Sequence, residues 1–419
     1  MIRNSSVREA GTFNQFSLRD TFASLKYPNY RLWFIGQLVS LVGTWTQTTA
    51  QGYLIYELTK SPAYLGYASF ANGLPSWFFT LYAGAIADRV PRRTLMVITQ
   101  SSMLVLAFIL AFLAFTNTVQ WWHILILTFF LGISNAFDAP ARQAFVLEMV
   151  EREDMTNAIA LNSTMFNSAV VLGPAIGGLI YAGVGPGWCF TINGITFIAV
   201  IIALLMMRLK PFVPIKTNGS TLSDVKEGLK YVANHADIKM LITGLFVTTL
   251  FSLGIATLIP AWAVVVLGGN ATTNGFLLAA RGFGSLIGAL MIAALGRFRF
   301  RGKVWTINSL LLPAMMVLFA YMHWLIPSLI AIAAMGFTFM MVVNLSNAMV
   351  QTRIPDEMRG RVMGIYTFFF FGAIPLGSLI SGWAADIIGE PLTVIISGGI
   401  LMIFALWVLW RRPALRAME

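Results

Sequence analysis

The sequence predicts an all-α integral membrane protein with twelve transmembrane helices arranged as two pseudo-symmetric six-helix bundles. Three observations predict this fold. The composition is 58% hydrophobic and 11% charged, with a mean hydropathy of +0.76. Long apolar runs alternate with short charged stretches, and parts of the first half recur in the second. Because a soluble domain is about half apolar and a quarter charged, most of this chain is not expected to lie in water.

The apolar runs have about the length that an α-helix needs to cross a hydrocarbon layer of ~30 Å. In the first half, the predicted spans are residues 32–56, 63–87, 95–115, 122–146, 158–184 and 188–207. In the second half, they are residues 238–267, 275–295, 304–322, 325–350, 362–388 and 392–410. Tryptophans near the span ends, Trp33 and Trp305 among them, are expected to act as interfacial anchors.

These spans divide the chain into five segments. We predict a cytosolic N-terminal segment at 1–30, a first bundle at 31–209, a cytosolic linker at 210–237, a second bundle at 238–412 and a cytosolic tail at 413–419. The first segment contains no apolar core followed by a cleavage site, so no removable signal peptide is predicted. Residues 17–26 are expected to form a short amphipathic helix on the inner leaflet.

The distribution of positive charge predicts the orientation. With the amino terminus in the cytosol, all lysines and arginines except Lys60 and Arg281 fall on the cytosolic side or its interface, as the positive-inside rule requires. The net charge of +11 does not indicate nucleic acid, because the basic residues form no stripe that could follow a phosphate backbone. We expect a multi-pass protein of the bacterial cytoplasmic (inner) membrane with both termini cytosolic.

Repeated residues relate the two halves. At one constant spacing, four residues of span 2 match four residues of span 8: Gly66, Ala71, Asn72 and Gly73 match Gly275, Ala280, Arg281 and Gly282. Two related bundles commonly rock about a site near the middle of the membrane. The architecture therefore predicts a carrier of a small molecule.

A loop motif follows span 2. Residues 84–93 read GAIADRVPRR, which resembles the GxxxDRxGRR signature of the major facilitator superfamily, with Pro91 in place of the usual glycine. The resemblance covers essentially the whole chain and implies a gate on the inner side, where Asp88 meets the start of helix 11. The predicted inner-gate residues are Gly84, Asp88, Arg89, Arg92, Arg93, Asp138, Arg142 and Arg361. That the three arginines of the loop only set the topology remains an open alternative.

A second motif lies in span 5. Residues 173–178 read GPAIGG and resemble the core of a motif of the superfamily's antiporters and exporters, although Ala169 replaces an upstream glycine. The motif residues are Gly173, Pro174, Gly177 and Gly178. Residues 135–146 and 351–366 are similar to the branch that contains the enterobactin exporter and related drug and macrolide exporters. Close helix packing explains the span 5 motif equally well.

The resemblance places spans 1, 4, 7 and 10 around a central cavity. The predicted cavity residues are Trp45, Gln47, Gln51, Tyr53, Asn135, Arg281, Asn344 and Asn347. Each amide is equally compatible with an interhelical hydrogen bond. Arg281 lies six residues past the predicted start of span 8, so snorkelling toward the outer surface is an alternative for it. Asp138 is the first candidate for proton coupling and Glu57 the second.

We therefore expect a secondary active transporter that exports a small hydrophobic or amphipathic compound (a drug, a siderophore or similar) by proton-coupled alternating access, functional as a monomer. Uptake and lysolipid flipping remain alternatives. A membrane-embedded transferase is a remote one, because His123, His235 and His323 are scattered and there is no GxxxxGK loop. Cys189 is the only cysteine, which excludes an intrachain disulfide and a Cys-based zinc site, and no metal or other cofactor is expected.

Overall fold

The structure, a computed structural model, describes residues 22–87, 89–146, 148–209, 221–295 and 300–416. These residues form twelve long α-helices, α1 to α12, one for each predicted span. In chain order they are Pro28–Thr59, Pro62–Ala87, Arg92–Phe115, Trp121–Val146, Met155–Val184, Pro186–Met206, Ala236–Ala256, Ala271–Leu295, Arg301–Ala320, Leu325–Gln351, Asp356–Ile388 and Glu390–Arg411. The all-α fold class is confirmed.

The seventh span differs from its prediction. Instead of one helix over 238–267, α7 ends at Ala256 and a short helix, Ile259–Val265, follows. Pro260 explains the break, because it has no N–H to donate to the carbonyl of Ala256 and its ring collides with that turn. At the break, the Leu258 N–H donates to the Ile255 carbonyl, three residues earlier, at 2.9 Å. This turn is tighter than a turn of an α-helix, in which the acceptor lies four residues earlier.

The predicted linker contains a helix that the sequence analysis did not identify. Thr221–Asn234 is helical and packs against α11. Val225, Gly228 and Val232 recur at helical spacing and are at least partly buried, and this periodicity was the signal for an amphipathic helix. Of the predicted N-terminal helix, residues 17–21 lie outside the described part, and Ala23–Lys26 forms a 3₁₀ turn.

This N-terminal turn is fastened to the loop before α5. The Ser24 N–H donates to Asn157 Oδ1 at 3.0 Å, and the Tyr27 hydroxyl donates to Asp154 Oδ2 at 2.7 Å. The ammonium of Lys26 lies 2.6 Å from the same carboxylate. Hydrogen bonding to Lys26 holds the pKa of the Asp154 carboxyl below its usual range.

Ten of the long helices are long and apolar enough to cross a membrane. The other two, α1 and α2, are more polar. α1 buries Gln37, Ser40, Thr46, Gln47 and Thr49 inside the protein, while α2 is rich in Tyr, Trp, Gly and Ser, which score low in hydropathy. Neighbouring helices thus shield the buried polar residues of α1.

Trp33 and Trp305 are not interfacial anchors. Both are buried, with 1% and 4% of their surface exposed, and the Trp305 indole donates to Ser346 Oγ at 2.8 Å. Each indole lies on a helix face that points into a bundle, which position along the chain alone does not reveal. Trp324 and Trp410, in contrast, are largely exposed near helix ends, as predicted.

The long helices pack as two groups of six. Within the first group, α1 packs on α5 and α6, and α4 packs on α2 and α3. Within the second group, α7 packs on α11, and α10 packs on α8 and α9. The two bundles meet chiefly through α2 against α11 and α5 against α8. These two interfaces are equivalent under the internal repeat, in which α2 corresponds to α8. In the same way α5 corresponds to α11, where Gly177, Leu179 and Ile180 recur as Gly377, Leu379 and Ile380.

The bundles approach most closely at one side. We call the ends near the linker helix and loop 148–154 the linker side, and the ends near Lys60 and Gly389 the distal side. A methyl group added to Gly66 of α2 would lie 2.7 Å from the carbonyl oxygen of Ser378 in α11. One added to Gly178 of α5 would lie 2.5 Å from the carbonyl oxygen of Ala271 in α8. At the distal side, backbone therefore packs directly on backbone across the interface.

The hydrophobic core shows the same asymmetry. A cluster at the distal side joins Leu54 and Tyr181 of the first bundle to Ala261 and Ala271 of the second. Of the two clusters at the linker side, one contains buried residues of the first bundle alone. The other contains buried residues of the second bundle and Val232 of the linker helix. In the described part of the chain, the bundles thus share a core only at the distal side.

The glycine interface gives a prediction for stability. Gly178→Val inserts a side chain where α5 touches α8, so we expect the unfolding free energy to fall by about 1–3 kcal/mol, the usual cost of overpacking. Gly183→Val is the matched control, because no atom lies within 4 Å of the Cβ position there. Thermal unfolding in detergent measures both variants. Equal midpoints for the two would contradict the close packing of α5 on α8.

Candidate functional site

The loop after α2 is only partly described. Asp88, the central residue of the predicted inner gate, lies outside the described residues, so its predicted contact stays a prediction. Arg89 is exposed. Among the described residues, no atom lies within 4 Å of the Cβ position of Gly84.

The other two arginines of the loop tie the first bundle together at its linker side. Arg92 Nη1 lies 2.5 Å from Glu148 Oε1 in the loop after α4. Arg93 donates to the carbonyls of Leu205 and Met207, at 2.6 and 3.3 Å. A cation at the last carbonyls of a helix satisfies orphan acceptors and complements the helix dipole. Arg93 therefore fastens the start of α3 to the end of α6.

Asp138 lies in a buried polar network between α3 and α4. Its side chain is 3% exposed, and its Oδ1 accepts hydrogen bonds from Thr99 Oγ1 at 2.9 Å and Gln100 Nε2 at 3.0 Å. Its Oδ2 lies 3.8 Å from Arg142 Nε, one turn further along α4. The structure thus brings these two predicted gate residues together within a single helix.

The last predicted gate residue, Arg361, contacts the linker. Its Nη1 lies 3.0 Å from Glu227 Oε2 of the linker helix. Gly228, one residue further on, packs against Arg361 and Ile365. The start of α11 is therefore coupled to the linker helix, a partner that the sequence analysis missed because it did not identify that helix.

The glycine motif of α5 faces two helices at once. Gly173 and Gly177 pack on α1, where Thr46 Oγ1 donates to the Gly173 carbonyl at 3.1 Å. Pro174 and Gly178 face α8, since a methyl group on Gly275 would lie 2.5 Å from the Pro174 carbonyl oxygen and 2.9 Å from Gly178 Cα. The motif thus joins α1 within the bundle to α8 across the interface.

The two predicted cavity amides of α1 both bond to neighbouring helices. Gln47 is 5% exposed, and its Oε1 accepts from Asn193 Nδ2 of α6 at 2.8 Å. Gln51 Nε2 donates to Thr128 Oγ1 of α4 at 2.5 Å. For Gln47 the interhelical alternative holds and the cavity assignment fails, because its amide is turned into the bundle. In the sequence, Asn193 is an amide within an apolar span, and such an isolated polar residue indicates a hydrogen-bond partner on a neighbouring helix.

The aromatic residues of α1 contact α5. Trp45 packs edge-on against Phe166, with ring centroids 6.2 Å apart. Tyr53 packs edge-on against Tyr181 at 4.9 Å, and the Tyr181 hydroxyl donates to the carboxylate of Glu57. Tyr53 and Glu57 thus belong to one cluster near the distal end of the first bundle.

Three predicted cavity amides lie in α4 and α10. Asn135 is exposed and eleven residues from the end of α4, about 16 Å at the helical rise. An amide exposed to lipid at that depth would be costly. In α10, Asn344 is partly exposed, and Asn347 Oδ1 accepts from Gln351 Nε2 at 2.6 Å.

Arg281 lies deeper than predicted. Because α8 begins at Ala271 and not at Gly275, Arg281 is ten residues into the helix, about 15 Å from its distal end. That is close to the middle of a hydrocarbon layer of ~30 Å. Snorkelling toward the outer surface would require Arg281 to lie near the end of α8, and the residue lies well inside the helix.

Two six-helix bundles that are repeated in sequence and meet through equivalent helices define a secondary transporter of the major facilitator type. The chain belongs to the transmembrane secretion effector family of that superfamily, whose sequence profile matches residues 19–419. The family resemblance identified from the loop and α5 motifs is thereby confirmed.

Several characterised transporters are similar to this chain. It is 24% identical to the staphyloferrin A transporter of Staphylococcus aureus over 373 residues, which cover 88% of this chain and 92% of that protein. It is 27% identical to the multidrug efflux pump Tap of Mycolicibacterium fortuitum, over 80% of this chain and 84% of the pump. It is 24% identical to macrolide efflux protein A of Streptococcus pyogenes, over 91% and 96% of the two chains.

Solved structures share the fold. The nucleoside transporter NupG superposes with a TM-score of 0.72 at 14% identity, covering 91% of this chain and 98% of that one. A bacterial homologue of the lysosomal transporter Spinster, solved in an inward-facing and unoccupied conformation, superposes with a TM-score of 0.69 at 13% identity, covering 96% and 98%. At these identities the likeness establishes the fold alone.

The Asp138 network gives a prediction. Asp138→Ala removes the acceptor of Gln100 and one acceptor of Thr99 inside the bundle, so we expect the unfolding free energy to fall by about 1–3 kcal/mol, the usual cost of leaving a buried polar group unsatisfied. Asp138→Asn keeps one acceptor oxygen and should cost clearly less. Thermal unfolding of the purified protein compares them, and an Ala variant as stable as the wild type would contradict the network.

Proposed function

We propose that this protein is a secondary active exporter of a small hydrophobic or amphipathic compound, driven by the proton gradient across a bacterial cytoplasmic membrane. The observation that carries the proposal is the asymmetric packing of the two bundles, whose described residues share a core at the distal side alone. A carrier that alternates between two sides needs such an interface, closed at one end while the other gives access to the site.

The orientation follows from the basic residues. Arg92, Arg93, Arg142 and Arg361 all lie toward the linker side, while Lys60 lies at the distal side. By the positive-inside rule the linker side is cytosolic. With α1 and α2 counted as crossings, both termini are cytosolic as well. The conformation is then inward-facing, as in the Spinster homologue, and would receive its compound from the cytosol or the inner leaflet.

Export and the class of compound are supported by the relatives and by the residues between the bundles. The staphyloferrin A, Tap and macrolide efflux proteins all carry organic compounds by name. Here Asn135 and Asn344 supply polar groups, and Trp45 and Phe166 supply aromatic surface, which together suit an amphipathic organic molecule. One chain holds both bundles, so we propose a monomer as the functional unit.

For proton coupling, Glu57 now ranks above Asp138. Asp138 is buried and held by Thr99 and Gln100, whereas Glu57 is exposed and bonded to Tyr181 near the distal end. A carboxylate at that end can take a proton from outside when the distal side opens. The sequence-based order of the two candidates is therefore reversed in this proposal.

The proposal is tested in everted membrane vesicles, whose lumen corresponds to the outside of the cell. We expect ethidium or erythromycin to accumulate in vesicles with an acidic lumen several-fold more when the protein is present. Accumulation should collapse when a protonophore removes the gradient, and Glu57→Gln should weaken its dependence on lumen pH. Accumulation that ignores an imposed pH gradient would refute the coupling, and no accumulation of any amphipathic compound would refute export.

A second experiment locks the distal side. Ser61 Oγ donates to Asp386 Oδ1 across the bundle interface at 2.5 Å. In a background with the buried Cys189 replaced by alanine, we expect Ser61→Cys combined with Asp386→Cys to form a disulfide under a mild oxidant and to stop transport until a reductant is added. Each single cysteine variant is the control. A fully cross-linked protein that transports at the wild-type rate would contradict alternating access.

A further inference from the structure

A pocket inside the second bundle contains the positive charge of Arg281. Arg281 of α8 lines it together with Ser252 of α7, and the remaining lining residues are apolar, including Ile255, Ile259, Phe319, Met335 and Phe339. The pocket is narrow in this conformation. It lies beside the break that Pro260 introduces after α7.

The guanidinium of Arg281 has no protein partner in the part of the chain that the structure describes. The guanidinium forms neither an ion pair nor a hydrogen bond there. Ser252 is buried, with 6% of its surface exposed, and its hydroxyl also forms no hydrogen bond within the described part of the chain. A charge near the centre of a membrane helix costs ~2.5–3.5 kcal/mol on insertion scales. Such a charge normally persists where it meets a partner or an aqueous cavity.

The internal repeat shows that helix packing does not require this charge. Asn72 of α2 is the repeat equivalent of Arg281. The Asn72 carbonyl contacts Gly132 of α4 just as the Arg281 carbonyl contacts Gly336 of α10. The backbone contacts are thus the same in both bundles, while the first bundle carries a neutral amide and the second a cation. These backbone contacts therefore give no reason for a positive charge at Arg281.

We propose that Arg281 and Ser252 bind a carboxylate group of the transported compound. The planar guanidinium fork matches a carboxylate with two parallel hydrogen bonds, and the serine hydroxyl can donate a third. One carboxylate carries a single negative charge, which neutralises the guanidinium. A doubly charged phosphate would leave one negative charge without a partner. The apolar walls suit the hydrocarbon next to the carboxylate. This inference rests on the proposed transport function and adds, within its class of amphipathic compounds, a preference for those that carry a carboxylate.

The test measures binding to the purified full-length protein in detergent. The probes are dansyl-aminooctanoic acid and its methyl ester, which differ only in the negative charge. The variants are Arg281→Gln, Arg281→Lys and Ser252→Ala. Arg411→Gln, at the exposed end of α12, is the matched control for the loss of one guanidinium. Thermal unfolding identifies the variants that fold.

We expect the wild type and Arg411→Gln to bind the acid at least about tenfold more tightly than the ester, as for a charge-assisted hydrogen bond. Arg281→Gln should bind acid and ester alike, with the ester affinity unchanged. Ser252→Ala and Arg281→Lys should show a reduced preference, which keeps the test decisive if the glutamine variant does not fold. Failure of the wild type to prefer the acid, or an unchanged preference in the folded Arg281 variants, overturns the site.

The result of this binding test can be distinguished from the result of the transport test of the proposed function. If the pH gradient drives accumulation of the ester but the wild type does not prefer the acid, the exporter stands and the carboxylate site falls. If the acid binds through Arg281 but no gradient moves either probe, the site stands and the exporter falls.

Discussion

The structure depends on the direct approach of backbone to backbone across two equivalent interfaces. Gly66 meets α11 and Gly178 meets α8 with no side chain between the helices. In a membrane, helices gain little from burying apolar surface, so close van der Waals contact between small residues is what associates them. Because these contacts are confined to the distal half, the bundles remain separable at the other end. The positions of these glycines therefore determine which end of the space between the bundles is closed and which is open.

Helices within a bundle are held by close packing and by hydrogen bonds together. In the first bundle, Gly132 of α4 packs on the Asn72 carbonyl of α2, while Asp138 bonds to α3 and Gln47 to α6. In the second bundle, the Trp305 indole of α9 donates to a serine of α10. Each hydrogen bond satisfies a buried polar group and so resists separation of the helices that it joins. Between the bundles the described contacts are mainly packing, which makes a movement of one bundle against the other easier than a rearrangement within either.

The sequence could predict the helices, the repeat and the family, because these depend on hydropathy over long windows and on local motifs. It could not predict the direction of single side chains. Gln47 and Asn135 both look like cavity amides, and only the rotation of each helix shows that Gln47 turns inward. The depth of Arg281 was underestimated because the polar first turn of α8 fell outside the apolar run. The linker helix was missed because hydropathy does not detect an amphipathic helix at the membrane surface.

The central claim is that the two bundles move as rigid units about the space between them, so that the distal glycine contacts separate when the linker side closes. Distances between paired spin labels test it most directly, with one pair at Lys60 and Ile388 on the distal side and another at Ile86 and Glu357 on the linker side, all of them exposed. Across a change in pH or on addition of a transported compound, the account predicts that one distance lengthens as the other shortens. Two distances that stay fixed, or that lengthen together, would contradict it.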